Sequence, residues 1–329
     1  MRRRSLILLP LSAAGAAVVS PPVRAQTAPF PSRPVTVLNG FPPGGAEDVL
    51  ARAVAVACQS ALNSPFVVDY KAGAGGRIAM QAMTTAAPDG YTLMLATAGL
   101  LSLFPHVFKS LPYDVARDVA PIIGAVETEL AMNVAPGVPA NTLEEFVVWA
   151  KAKGDVAFAS YGAGTPSHFL GAMLNRATGL SMTHVPYKGS APARQDLLAG
   201  QVPVFFDGVG GSAPYLRDGK VKIFATSGLQ RSPLLAEVPT FIERGYKDVR
   251  ARIWFAFVAP ARTPKPVIEI LNREIGKALA DPALRVRLAT FGMRPLQGAG
   301  TPEDLGRLIA EESAHWAAVV KASGFTALD

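Results

Sequence analysis

The order of β-like and helix-like segments constrains the fold of this chain more than any other feature. Short runs rich in β-branched and aromatic residues alternate with helix-like runs along almost the whole sequence. Alternation of this kind is typical of parallel sheets flanked by helices, so the sequence predicts an α/β fold. It leaves open whether the chain forms one doubly wound sheet or two smaller lobes. Strands are predicted at residues 35–38, 66–69, 91–96, 130–134, 156–159, 202–206, 221–225 and 254–258.

Several helix ends can be predicted from local signals. Thr142 and Glu145 have the spacing of a capping box before an apolar run, and Gly154 follows as a stop. Thr301, with Pro302 at the first helical position, predicts the start of a long last helix. Its apolar side chains recur at helical spacing and predict one buried face.

The first 25 residues have the features of a secretory signal peptide. A basic start, MRRR, precedes an apolar stretch at 6–19, and Val23-Arg24-Ala25 follows. This stretch is shorter than the roughly 20 apolar residues that cross a bilayer. We therefore expect cleavage after Ala25 and a periplasmic product. The arginines leave both the general secretory and the twin-arginine routes open.

Charge and cysteine content exclude several other classes of protein. Four of the arginines lie in the leader, so its removal reduces the formal net charge from +7 to +3. No Lys/Arg-rich run remains that would indicate binding to nucleic acid or a membrane surface. The single cysteine, Cys58, excludes an intramolecular disulfide. About 300 mature residues provide for two domains of roughly 150 each.

Four loops rich in Gly or Pro stand where predicted strands lead into helices. They are FPPGGAED at 41–48, KAGAGG at 71–76, SYGAGTPSH at 160–168 and VPYKGSAPA at 185–193. Open α/β sheets bind ligands at this edge. Convergence of the four loops would form a polar pocket.

The third loop is the clearest candidate for binding an anion. Thr165 is a predicted helix cap, Pro166 the first helical residue, and Gly162 and Gly164 leave backbone amides unobstructed. A helix start of this kind attracts carboxylates, although the same pattern also fits an ordinary capped turn. In the first loop, Glu47 and Asp48 would either satisfy the helix dipole or select a cationic or amide end of a ligand.

Catalytic, metal and nucleotide sites have weaker support. Ser160, His168 and either Asp196 or Asp207 could supply a nucleophile, a base and an orienting acid, but no GxSxG elbow is present. The four histidines show no metal-ligand spacing, so we expect no metal. Lys188 has no signal of the burial that activates a Schiff-base lysine. KAGAGG lacks the ending of a phosphate loop, and we expect no cofactor.

Taken together, these segments resemble the extracytoplasmic solute receptors of tripartite tricarboxylate transporters, the Bug family. The resemblance covers essentially the whole mature chain in order. It rests on FPSRPVTVLNGFPPGGAEDVLAR, KAGAGGRIAMQAMTTAAPDGYTLMLAT, FASYGAGTPSHFLGAML, HVPYKGSAPARQDLLAGQVPVFFD, LAEVPTFIERGY, WFAFVAPARTPKPVIEILN and HWAAVVKASG.

The resemblance implies a periplasmic binding protein fold of type II, with two lobes, two crossovers and a ligand cleft between the lobes. Lobe 1 would comprise residues 26–128 and 252–329, and lobe 2 residues 129–251, with crossovers near 126–131 and 250–254. It implies a monomeric, non-enzymatic receptor that passes a small molecule to inner-membrane permease subunits. A periplasmic sensor that signals to a kinase is an alternative, and a secreted hydrolase is a weaker one. The ligand classes implied are carboxylates, amino acids, and aromatic carboxylates or amides.

The resemblance also implies which residues bind the ligand. They are Phe41, Gly44, Gly45, Ala46, Glu47, Asp48, Thr97, Ser160, Gly162, Gly164, Thr165, His168, Tyr187, Lys188, Gly189 and Asp207. The sequence departs from the family at Glu47, where relatives commonly carry Thr or Ser. A hydroxyl can donate a hydrogen bond to a carboxylate, whereas an ionised Glu can only accept. We therefore expect a ligand with an amine, amide or ring nitrogen near Glu47, unless this side chain turns away.

Overall fold

A computed structural model describes residues 30–44 and 46–329. The predicted signal peptide and Gly45 lie outside the described residues. Within these ranges, no helix is both long enough and apolar enough to span a membrane.

The described chain contains the alternating helices and strands that the sequence predicts. The strands are β1 (Val35–Asn39), β2 (Phe66–Tyr70), β3 (Thr92–Thr97), β4 (Val119–Val134), β5 (Ala157–Ser160), β6 (Thr183–Pro186), β7 (Val204–Gly208), β8 (Lys222–Thr226), β9 (Arg252–Pro260) and β10 (Arg294–Pro295). The helices are α1 (Ala46–Leu62), α2 (Arg77–Thr84), α3 (Phe104–Val107), α4 (Val115–Asp118), α5 (Leu143–Lys153), α6 (Pro166–Thr178), α7 (Ser190–Leu198), α8 (Val209–Arg217), α9 (Lys265–Ala280), α10 (Pro282–Ala289) and α11 (Pro302–Ser323).

The strands form two groups that share one long strand. In lobe 1 the order is β2-β1-β3-β9-β4-β10, and in lobe 2 it is β8-β4-β7-β5-β6. Strands β1, β2 and β3 are mutually parallel, as are β5, β6 and β7. The predicted two-lobed α/β fold is therefore confirmed.

Strand β4 is much longer than the sequence pattern predicted. The prediction covered residues 130–134, whereas the strand begins at Val119. Residues 119–129 pair with β9, and residues 130–134 pair with β7. Pro121 and Gly124 interrupt the first half, which hid the β pattern. Gly124 is needed there because a Cβ atom would lie 2.5 Å from the Cβ of Ala299. The exchange of partners takes the chain from lobe 1 into lobe 2, while the exact limits of the lobes stay a prediction.

A cluster of charged side chains lies where β4 exchanges partners. Arg294 contacts the carboxylates of both Glu127 and Glu129, and its Nε lies 3.1 Å from Glu127 Oε1. Arg252 Nη2 lies 2.7 Å from Glu127 Oε2 and its Nη1 lies 3.9 Å from Glu312 on α11. The Glu129 side chain is fully buried. We call these five residues the junction cluster.

Helix α11 contributes to the cores of both lobes. Its first half places Leu305 and Ile309 against the core of lobe 1, beside β3 and β9. Its second half places Trp316 and Val320 in the core of lobe 2. The predicted buried face is thus present, and one helix bridges the two lobes.

The predicted helix caps are confirmed. The side chains of Thr142, Thr165 and Thr301 accept hydrogen bonds from the amides of Glu145, His168 and Asp304, at 3.1, 3.4 and 3.1 Å respectively. Gly154 follows α5 with a φ of 80°. Glu145 bonds back to the amide of Asn141, one residue earlier than in a standard capping box.

Candidate functional site

The four loops singled out in the sequence lie at the carboxyl ends of parallel strands. The first two follow β1 and β2 in lobe 1, and the other two follow β5 and β6 in lobe 2. Thr97, half-buried at the end of β3, accepts a 3.4 Å hydrogen bond from the amide of Leu100. Asp207 lies near the end of β7. The predicted binding residues therefore occupy the ligand-binding edge of each sheet.

Asp48 positions the first loop. Its carboxylate accepts hydrogen bonds from the amide of Gly44 at 2.9 Å, from Arg52 Nε at 2.7 Å and from the Tyr70 hydroxyl. Burial opposes ionisation, but these donors outweigh it and lower the pKa of Asp48. Phe41, which is half-buried, donates its amide to Asn39 Oδ1 at 3.1 Å. Because all these contacts of Asp48 lie within lobe 1, its carboxylate supports the conformation of the first loop.

Glu47 lies in lobe 1, directly before Asp48. Its side chain is half-buried in the first turn of α1, and burial raises its pKa. Across the cleft, burial raises the pKa of Tyr161, and the negative charges of Asp207 and Glu47 raise it further. Both carboxylates are therefore close enough to Tyr161 for their charges to act on it, one from each lobe. Tyr161 was missed in the sequence because nothing distinguished it from its neighbours in the loop.

The side chains of the third loop that were predicted to bind the ligand stabilise the loop itself. Ser160 is fully buried, and its hydroxyl contacts Gly162 O at 2.9 Å and His184 Nε2 at 2.7 Å. Thr165 donates its hydroxyl to Gly162 O at 2.7 Å. The amide of Gly164 donates to His168 Nδ1 at 3.3 Å. These contacts fix the backbone at the start of α6.

Two histidines stack beneath this loop. The rings of His168 and His184 are 3.7 Å apart and within 10° of parallel. Burial lowers the pKa of His168 to about 4, and burial together with the neighbouring His168 lowers that of His184 to about 4. Both rings are therefore neutral at pH 7 and serve as part of the wall of lobe 2.

The fourth loop is tied to the third. The amide of Tyr187 donates to Ser160 O at 2.9 Å, and the amide of Gly189 to Tyr161 O at 3.2 Å. The Tyr187 hydroxyl donates to Asp196 at 2.7 Å, and Lys188 is exposed. Gly189 has a φ of 104°, a conformation that favours glycine.

The proposed hydrolytic triad is not assembled. Ser160 contacts His184 and not His168. Of the two candidate orienting acids, Asp196 is bonded to Tyr187, and Asp207 pairs with Arg194. A nucleophile also needs access to substrate, whereas Ser160 is fully buried. The arrangement suits binding rather than acyl transfer.

The C-terminal tail supports the third loop from lobe 1. The rings of Phe325 and His168 are 5.4 Å apart, edge to face. The Leu328 amide donates to Val107 O at 2.8 Å. Gly164 fits closely here, because a Cβ atom would lie 2.5 Å from Val107 Cγ1. No local pattern predicted the contact between Phe325 and His168, which are more than 150 positions apart.

The chain matches a known family over most of its length. A family model described as tripartite tricarboxylate transporter family receptor matches residues 50–325. The chain belongs to this receptor family. Protein BugT of Bordetella pertussis is 36% identical over 308 residues, which cover 93% of this chain and 93% of BugT. The predicted resemblance is thereby confirmed.

Solved structures of relatives have the same fold. Periplasmic binding protein BugD is 34% identical with a TM-score of 0.78, covering 91% of this chain and all of that one. R. palustris Rpa4515 with adipate is 30% identical with a TM-score of 0.80 and the same coverage. MatC from Rhodopseudomonas palustris with bound malate is 32% identical, with a TM-score of 0.75, and covers 88% of this receptor and 100% of MatC. The receptor is thus a periplasmic-type solute-binding protein.

Proposed function

We propose that this receptor captures a small carboxylate that carries an amide, amine or ring nitrogen at its far end. It acts as a monomer in the periplasm without a cofactor and passes the ligand to inner-membrane permease subunits. The observation that carries the proposal is Glu47, a half-buried acid in the first turn of α1 at the carboxyl edge of the lobe 1 sheet. Relatives with adipate and malate support a carboxylate as one end of the ligand.

The third loop provides donors for that carboxylate. Among the described residues, the amides of Ala163 and Thr165 have no protein acceptor; Thr165 is the N-cap of α6, and Ala163 lies two residues before it in the loop. Free amides at a helix N-terminus bind anions, typically contributing about 0.3–1 kcal/mol when exposed. The predicted binding residues of lobe 1 would contact the other end of the ligand. They include Ala46 at the start of α1.

The test is thermal unfolding of the mature receptor with a ligand panel. The panel contains adipate, malate, citrate, benzoate, amino acids and the amides of each acid. A ligand at a hundred times its dissociation constant stabilises the folded state by about 2.7 kcal/mol. We expect a selective shift with a carboxylate that bears nitrogen. Failure of every carboxylate in the panel to stabilise the protein would contradict the proposal.

Replacing Glu47 with Thr tests the nitrogen end of the ligand. We expect the variant to shift its preference from an acid monoamide toward the matching dicarboxylate by roughly tenfold, equivalent to 1.4 kcal/mol. The reason is that an ionised Glu repels a second carboxylate, whereas Thr donates a hydrogen bond to it. Isothermal titration of adipate and its monoamide measures the ratio.

The matched control is Glu303→Thr, which changes an exposed acid in the first turn of α11. It should leave the ratio unchanged. An unchanged ratio in Glu47→Thr as well would mean that Glu47 does not read the ligand, while binding itself would still support the receptor function.

A further inference from the structure

A buried ion pair lies at the ligand-binding edge of lobe 2. Asp207, near the end of β7, is 4% exposed. Its carboxylate accepts hydrogen bonds from Arg194 Nε at 3.2 Å, from Arg194 Nη2 and from the amide of Gly208 at 2.9 Å. The Arg194 side chain retains 23% exposure, so one side of it reaches solvent.

The surroundings fit the guanidinium closely. Gly211 on α8 lies against it, since a Cβ atom there would approach Arg194 Nη2 to 2.5 Å. The ring of Tyr215 lies 5.4 Å from Arg194 Cζ. These contacts hold Arg194 between α7 and α8, and Asp207 orients it from the strand side.

Arg194 keeps donors for a further partner. A guanidinium has five N–H groups in a planar fork, and one oxygen of Asp207 engages only the edge formed by Nε and Nη2. Planar forks of this kind bind carboxylates through two parallel hydrogen bonds. A buried ion pair contributes little to stability compared with apolar packing, so stability alone does not account for this one.

The charges around the cleft indicate a role in ligand binding for the ion pair of Arg194 and Asp207. Without Arg194, a ligand carboxylate entering lobe 2 would meet the negative charge of Asp207, and Glu47 would add a second negative charge from lobe 1. Like charges close together disfavour each other's ionised forms, so the carboxylate would be repelled. With Arg194 in place, the wall of lobe 2 is neutral and offers N–H donors.

We infer that Arg194 is a specificity-determining residue that binds the carboxylate of the ligand in lobe 2, held in position by Asp207. This inference rests on the proposed function and adds one side chain to the third-loop amides as donors for the ligand carboxylate. A carboxylate at Arg194 and a nitrogen at Glu47 together define an amino- or amido-carboxylate.

The experiment removes the guanidinium without leaving a buried unpaired acid. The double variant Arg194→Met/Asp207→Asn keeps the wall neutral, and Arg194→Lys keeps the charge but not the fork. Arg176→Met, at an exposed position on α6, is the matched control. Isothermal titration measures binding of adipate, adipic acid monoamide and adipamide, and circular dichroism checks folding.

We expect the double variant to lose at least thirtyfold in affinity for the monoamide and less than threefold for adipamide, which has no carboxylate. Arg194→Lys should recover part of the loss, and Arg176→Met should match the wild type. Equal losses for both ligands, or no loss, would overturn the role of Arg194 and leave the receptor function standing. If the wild type binds none of the acids in the panel, the proposed function fails, and this inference fails with it.

Discussion

Arg294→Met is expected to lower the free energy of unfolding by about 3–5 kcal/mol, because it leaves a buried carboxylate without its partner. Glu129 is fully buried and Arg294 is its ion-pair partner. The other oxygen of Glu129, Oε1, already has no hydrogen-bond partner among the described residues. Urea unfolding of the ligand-free receptor at pH 7.5 measures the change.

Two further variants distinguish the cost of burying an unpaired charge from the cost of losing an ion pair. Arg231→Met removes a pair with Glu243 whose side chains are 46% and 45% exposed, and should have little effect on stability. Adding Glu129→Gln to Arg294→Met should restore a large part of the loss. A loss below 1 kcal/mol in Arg294→Met alone would show that water or a shifted side chain compensates Glu129.

The junction cluster lies where the chain passes from lobe 1 into lobe 2. In the strand register, Glu129 of β4 lies opposite Arg252 of β9, and the next residue, Leu130, lies opposite Gly208 of β7 in lobe 2. We propose that closure of the lobes bends the chain at this point. Charged side chains bonded on the lobe 1 side fix where the bend begins, and Glu312 extends the cluster to α11, which packs on both lobes.

Features set by neighbours in sequence could be predicted from the sequence. The caps at Thr142, Thr165 and Thr301 depend on residues three positions away, so local patterns were sufficient. The four loops were also found, because Gly and Pro mark the turns between strands and helices. Their placement at the carboxyl ends of strands followed from the α/β pattern, whereas the convergence of all four on one ligand stays a prediction.

Features set by distant partners could not be predicted in the same way. The length of β4 depends on pairing with β9, more than 120 residues later, and its own sequence contains Pro121 and Gly124. The partner of Asp207 is Arg194, on a helix whose rotation the sequence does not specify. The effect of the Glu47 charge on the pKa of Tyr161 likewise depends on how the two lobes meet.

The stacked histidines predict a loss of stability at mildly acid pH. The pKa of each ring is about 4 in the folded receptor, against about 6.5 in an unfolded chain. Between these values the unfolded chain binds protons that the folded protein does not, so stability falls as pH decreases from about 6.5 to about 4. Between pH 7 and 5 we expect the two rings to lower the free energy of unfolding by about 2–4 kcal/mol, allowing for their partial exposure.

Urea unfolding at pH 7, 6 and 5 tests the origin of this dependence. His168→Asn/His184→Asn removes both titrating rings and should remove at least half of the pH dependence, even if the variant is less stable at pH 7. His106→Asn, which removes a ring in lobe 1, should keep most of it. The same dependence in wild type and double variant would place the proton uptake elsewhere. Ser160 and Gly164 bond directly to these two rings, so protonation of the folded receptor would loosen the third loop first. Because the rings titrate at about pH 4 in the folded receptor, ligand affinity should be lost only as the pH approaches 4.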